Sequence, residues 1–159
     1  MKRILFATLA LFCGSTFAAE GQIASLVSFE STAARPKINK EQDSSLTSIL
    51  NTQIEYTTPA NISAYAGFSF ALGDDFESAF SMGARYYSAT PAFQLFPGIP
   101  MWSFIGGGVD FLDDPVYYPE AGFRIATSDT SRLDVFVKLL NSSNDKYDRH
   151  VMVGAGLTF

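Results

Sequence analysis

The sequence predicts an all-β protein: a closed, antiparallel, up-and-down transmembrane β-barrel of eight strands. Three observations carry that prediction. Apolar and polar residues alternate with period two in eight segments separated by turn residues, while helical periodicity is nearly absent. The charges within those segments fall on the face opposite the apolar one. The chain opens on an export signal and closes on a strand ending in Phe159.

The N-terminus fixes the expected compartment. Met1-Lys2-Arg3 is cationic, residues 4–12 are apolar except for Thr8, and small residues follow. Thr16 and Ala18 permit cleavage after Ala18, giving a signal peptide 1–18 and a barrel domain 19–159. Cleavage after Ala19 is disfavoured because bulky Phe17 then lies three residues before the cut. The apolar run is shorter than the roughly 20 residues a spanning helix needs. Cys13, the only cysteine, lies inside the signal, and Phe12 before it does not suit a lipoprotein. The processed chain therefore has no disulfide, thiolate nucleophile or cysteine metal site.

The eight segments run in order. Residues 22–30 set Ile23, Val27 and Phe29 on one face, and 31–43 is a polar loop. Residues 44–56 set Leu46, Leu50, Ile54 and Tyr56 against Asn51, Gln53 and Glu55. After the turn 57–61, residues 62–72 oppose Phe68, Phe70 and Leu72 to Ser63, Tyr65, Gly67 and Ser69. The turn 73–75 leads to 76–88, where Phe76, Phe80, Met82 and Tyr86 oppose Glu77, Ser81, Gly83 and Arg85. Residues 90–100 contain Pro91, Pro97 and Pro100, which remove ladder donors, so a connection or interrupted strand is expected. Residues 101–111 oppose Ile105, Val109 and Phe111 to Trp102, Phe104, Gly106, Gly108 and Asp110. Past 112–115, residues 116–127 oppose Tyr117, Ala121, Phe123 and Ile125 to Glu120, Gly122 and Arg124. Past 128–130, residues 131–140 oppose Leu133, Val135, Val137 and Leu139 to Arg132, Asp134 and Lys138. The polar loop 141–148 precedes 149–159, where Val151, Val153, Ala155, Leu157 and Phe159 oppose His150, Met152, Gly154, Gly156 and Thr158.

Alternation alone does not say which face is inside. A soluble, lipocalin-like binding barrel alternates too, with its apolar face inward. The composition of the polar face favours the inverse. Glu55, Arg85, Asp110, Glu120, Arg124, Asp134 and Lys138 mix both signs, as a narrow lumen needs if buried charges are to pair. Glycines crowd the same face, as a small barrel interior requires. Tyr56, Tyr86, Tyr87, Trp102, Phe111, Tyr117, Tyr118 and Phe159 lie near strand ends, suited to interfacial girdles.

The final strand carries Val153, Ala155, Leu157 and Phe159 at every second position. This ending resembles the C-terminal signature of bacterial outer-membrane barrels, and the exported region as a whole resembles the small eight-stranded OmpA/OmpX class. The resemblance implies a Gram-negative outer-membrane location after secretion. The implied partners are the barrel-assembly machinery, outer-membrane lipids and lipopolysaccharide. It also implies that 31–43, 73–75, 112–115 and 141–148 face outward, with 57–61 and 128–130 in the periplasm.

The chemistry on offer is sparse. A formal charge of −5 with scattered basic residues excludes a nucleic-acid face. One histidine and no exported cysteine predict no metal and no cofactor; Asp74-Asp75 and Asp113-Asp114 read as turn residues. Some barrels of the resembled class modify lipid A, as acyltransferases or deacylases. Ser142, Ser143, Asp148 and His150 are the residues that could supply a Ser-His-acid set here, without any nucleophile motif. A narrow pore is a third reading, opposed by an interior that eight strands leave just wide enough for side chains. The expectation is a non-catalytic envelope or surface-interaction role. The loop 31–43, with Arg35, Lys37 and Lys40, is the candidate contact for lipopolysaccharide phosphates.

Overall fold

The computed structural model describes residues 22–35, 47–73, 76–96, 98–144 and 146–159. The expected signal peptide 1–18, Lys37, Lys40, Leu46, Asp74, Asp75, Pro97 and Asp145 lie outside the described residues.

The described chain forms β1 (Gln22–Ala34), β2 (Ser48–Thr57), β3 (Ile62–Leu72), β4 (Phe76–Tyr87), β5 (Phe93–Phe96), β6 (Ile99–Phe111), β7 (Pro115–Ala126), β8 (Arg132–Leu139), β9 (Asn141–Ser142) and β10 (Val151–Thr158). β4 and β5 pair with successive parts of β6, and β8 and β9 with successive parts of β7. The wall therefore has eight antiparallel staves, and β1 pairs with β10 to close it. Closure leaves no long unpaired edge.

The register sets the shape. Paired residues lead round the wall from Gln22 through Thr57, Ser63, Arg85, Gly106, Glu120, Lys138 and Met152 to Thr32, ten residues beyond the start. With a rise of ~3.3 Å and a strand spacing of ~4.8 Å, that stagger tilts eight strands by about 40°. The turns 57–61 and 127–131 lie at the same end as the C-terminal Phe159, the terminal end. The connection 88–92 lies at this end too, since the Tyr87 N–H donates to the Asn61 carbonyl, while 112–114 and the loop after β9 lie at the far end.

Several boundaries differ from the sequence expectation. β1 runs on through Ser31 to Ala34, because β10 pairs with that stretch and β2 pairs with Ser31. Residues 90–100 are not a plain connection. Phe93 and Gln94 pair with Met101 and Pro100, and Gly98 turns the chain at φ 93°, a conformation glycine adopts without strain. The break between β8 and β9 faces Pro119 of β7, which has no N–H to give the ladder. The Leu140 N–H donates to the His150 carbonyl instead.

The burial pattern is inverted relative to a water-soluble barrel. Phe68, Ile105 and Leu157 are more than half exposed, while Glu55, Arg85, Asp110 and Asp134 are buried. The charged face is the lumen and the apolar face is the outside, so the lipocalin-like arrangement is not the one that forms. Three girdle assignments are corrected: Tyr87 and Tyr118 point into the lumen and are buried, sharing strand parity with Arg85 and Glu120, and Trp102 has lumen parity as well. Trp102 lies on the face of Phe104 and is half-buried. Tyr56, Tyr86, Phe111, Tyr117 and Phe159 do lie exposed on the outside.

Candidate functional site

The lumen is the chemically rich part of the molecule. Alternation aims its residues inward, and the glycines make room for them. A Cβ on Gly154 would sit 2.6 Å from Cζ of Phe136. Any larger residue there displaces the ring.

Two arginines organise the lower lumen. Arg85 donates from Nε and Nη2 to the two Glu120 oxygens at 2.8 and 3.0 Å, and from Nη1 to Asp134 at 3.0 Å. Arg124 donates to both Asp134 oxygens at 2.7 Å and to Glu55 Oε2 at 2.7 Å. Tyr65 donates to Glu120 at 2.7 Å, and Tyr87 to Glu55 at 2.9 Å. Each carboxylate oxygen of Glu55, Glu120 and Asp134 therefore has a donor. The guanidiniums also lie over rings, Arg85 at 4.7 Å from Phe104 and Arg124 at 4.4 Å from Tyr87. Such bidentate, stacked geometry suits arginine and not lysine.

A second cluster lies nearer the far end. Lys138 Nζ donates to Glu30 Oε1 at 2.9 Å and sits 4.2 Å from the Tyr118 ring. Asn51 Nδ2 donates to the same Glu30 oxygen at 2.8 Å. Ser69 Oγ lies 2.5 Å from Asn51 Oδ1 and 2.9 Å from Asp110 Oδ1. Glu30, missing from the sequence-derived network, is fully buried.

Above this, apolar side chains close the far mouth. Ile49, Leu112, Val116, Leu140 and Met152 form one buried apolar cluster with Tyr147, which follows β9. Tyr147 Oη donates to Glu77 Oε2 at 3.0 Å, and Lys146 Nζ donates to Glu77 Oε1. Burial, then the bond to Glu77, push the Tyr147 hydroxyl up to about 12. The same carboxylate raises the Lys146 amine above its ordinary value.

The residues considered for nucleophilic chemistry are not assembled into a relay. Ser142 Oγ meets the Pro115 carbonyl at 3.4 Å and accepts the Asn144 N–H at 3.1 Å. Asp148 Oδ1 accepts the Ser142 backbone N–H, and Asp148 Oδ2 pairs with Arg149. His150 is buried, with Nδ1 3.1 Å from the Asp148 carbonyl oxygen. Ser143 is exposed. No described hydrogen bond joins Ser142 or Ser143 to His150. The described residues hold no group of three or more His, Cys, Asp or Glu suited to a metal.

At the end of the last strand, Val153, Ala155, Leu157 and Phe159 all point outward and are exposed. Comparison with known protein families, characterised proteins and solved structures finds no match to this chain.

Proposed function

We propose that this chain is an integral outer-membrane β-barrel, secreted by the signal peptide 1–18, whose role is non-catalytic: envelope structure or surface interaction through its far-end loops. The inverted partition of the barrel carries the reading. Water has no use for an outer wall of phenylalanine, isoleucine and valine, whereas hydrocarbon does, provided every backbone group is paired. The closed ladder supplies that pairing. An 11-residue strand such as β3, tilted as above, rises about 28 Å, enough for an apolar band of about 25 Å. The partners on this reading are outer-membrane lipids, lipopolysaccharide at the far-end rim, and the assembly machinery that reads Val153, Ala155, Leu157 and Phe159. Paired charges and buried aromatic side chains line the lumen, which supports a plugged interior, and purified protein is expected to give no conductance in planar bilayers.

The test is cell fractionation followed by electrophoresis with and without boiling. An outer-membrane band that shifts on heating is the expected result. A soluble periplasmic band would overturn the proposal.

A further inference from the structure

In the far-end lumen cluster the Ser69 hydroxyl can satisfy both of its oxygen neighbours in only one way. Lys138 faces the carboxylates of Glu30, Asp110 and Glu120; Arg85 holds Glu120, and of the other two only Glu30 is paired with Lys138. Glu30 Oε2 and Asp110 Oδ2 are buried without a partner. Both residues are fully shielded from solvent. Two bare carboxylates beside one ammonium are costly in such a place.

Ser69 decides which acid carries a proton. Its hydroxyl has one hydrogen but two oxygen neighbours, Asn51 Oδ1 and Asp110 Oδ1. Asn51 Oδ1 can only accept. Exchanging the amide atoms of Asn51 would set its oxygen against Glu30 Oε1, acceptor to acceptor, and would lose the donation to Ser28. Ser69 therefore donates to Asn51, and its contact with Asp110 is satisfied only if Asp110 donates.

We propose that the lumen binds one proton and that Asp110 holds it at neutral pH. The donors then run in one direction: Asp110 to Ser69, Ser69 to Asn51, Asn51 to Glu30 Oε1, which also accepts from Lys138. The groups facing Asp110 are Glu30 from β1, Ser69 from β3, Tyr118 and Glu120 from β7, and Lys138 from β8. Stripping the proton puts a second bare charge beside Glu30 and turns the Ser69 hydroxyl away from Asn51. The proton thus acts as a latch on the layer beneath the Tyr147 cap.

The test is infrared spectroscopy of the folded protein in detergent micelles at neutral pH, in the carbonyl region of protonated carboxylic acids. Wild type is expected to show one such band. Asp110→Asn, whose amide can donate to Ser69 as the acid does, loses the band, while Glu30→Gln keeps it. Ser69→Ala, which removes the acceptor, shifts the band, so the assignment stands on two variants. The heat-modification midpoint of wild type falls as the medium is taken from mildly acidic to mildly alkaline, and that of Asp110→Asn is flatter. Absence of the band in wild type, or its loss in Glu30→Gln with retention in Asp110→Asn, would overturn the proposal.

Discussion

At the scale of single residues, the lower lumen is a set of matched donors and acceptors whose worth lies in completeness. Arg124 serves Asp134, Glu55 and the Thr158 hydroxyl at once. Arg124→Met leaves buried Glu55 without its paired cation and Asp134 with Arg85 alone. A loss of about 3–5 kcal/mol is expected, read from urea titration of the micelle-refolded protein. Arg85→Lys keeps the charge but not the two-pronged contact with Glu120 or the plane stacked on Phe104. It should recover less than half of what Arg85→Met loses. Much of this was legible in the sequence, because period-two parity assigns a face without any knowledge of the partner. Parity also held the signal that was overlooked. Tyr87 lies two residues from Arg85 and Tyr118 two from Glu120, so both belong to the lumen, although their position near strand ends suggested girdles. Glu30 was not legible. It falls where β1 reads as ending, and a charge at a strand end ordinarily faces water.

At the scale of elements, the segments that depart from simple hairpins are those with proline. Pro119 interrupts the ladder between β7 and its neighbour, and residues 90–100 fold into a short strand that extends the β4 stave. Sequence marked the second of these as irregular but not its geometry, because proline says which bond is missing and not what replaces it. The loop 143–150 was legible only as polar. Nothing local signals that Tyr147 turns inward, since its ring finds its neighbours across the mouth. Tyr147→Ala is expected to open this cap, so that an added protease cuts within 141–150 of the folded barrel much faster than in wild type. Tyr147→Phe keeps the ring and loses one hydrogen bond, worth about 1 kcal/mol, and should resist nearly as wild type does. The Lys146–Glu77 pair sets the alkaline limit of the cap. An amine raised above its ordinary value of 10.5 contributes stability that is whole below that pH and disappears above it. Protease resistance of the loop should therefore be flat through neutral pH and fall in strong alkali, with a separate loss in strong acid where Glu77 takes a proton. A fall at neutral pH would place the control elsewhere. His150 closes this loop and no described hydrogen bond joins it to Ser142, and His150→Ala should leave the lipid A profile of the host unchanged by mass spectrometry.

At the scale of the whole molecule, inside and outside are defined by two faces of one ladder, and exchanging their chemistry is the strongest test of where the barrel resides. Val137 is half-exposed on the outer face of β8, and Lys138 beside it is buried in the lumen. Val137→Lys places a charge toward the apolar surroundings with no partner there. In hydrocarbon the expected cost is about 2–4 kcal/mol near mid-depth, falling toward either rim. Val137→Lys should therefore fold less stably in lipid vesicles than wild type, while the same change at Phe76, at the far-end rim, should cost under about 1 kcal/mol. If the outer wall faces water, both substitutions are nearly silent or improve solubility, because charge on a solvated face carries no such penalty. Folding yield and urea midpoint in vesicles, measured for the two variants side by side, separate these cases. A depth-dependent penalty means that the wall reads lipid, and equal tolerance means that it does not.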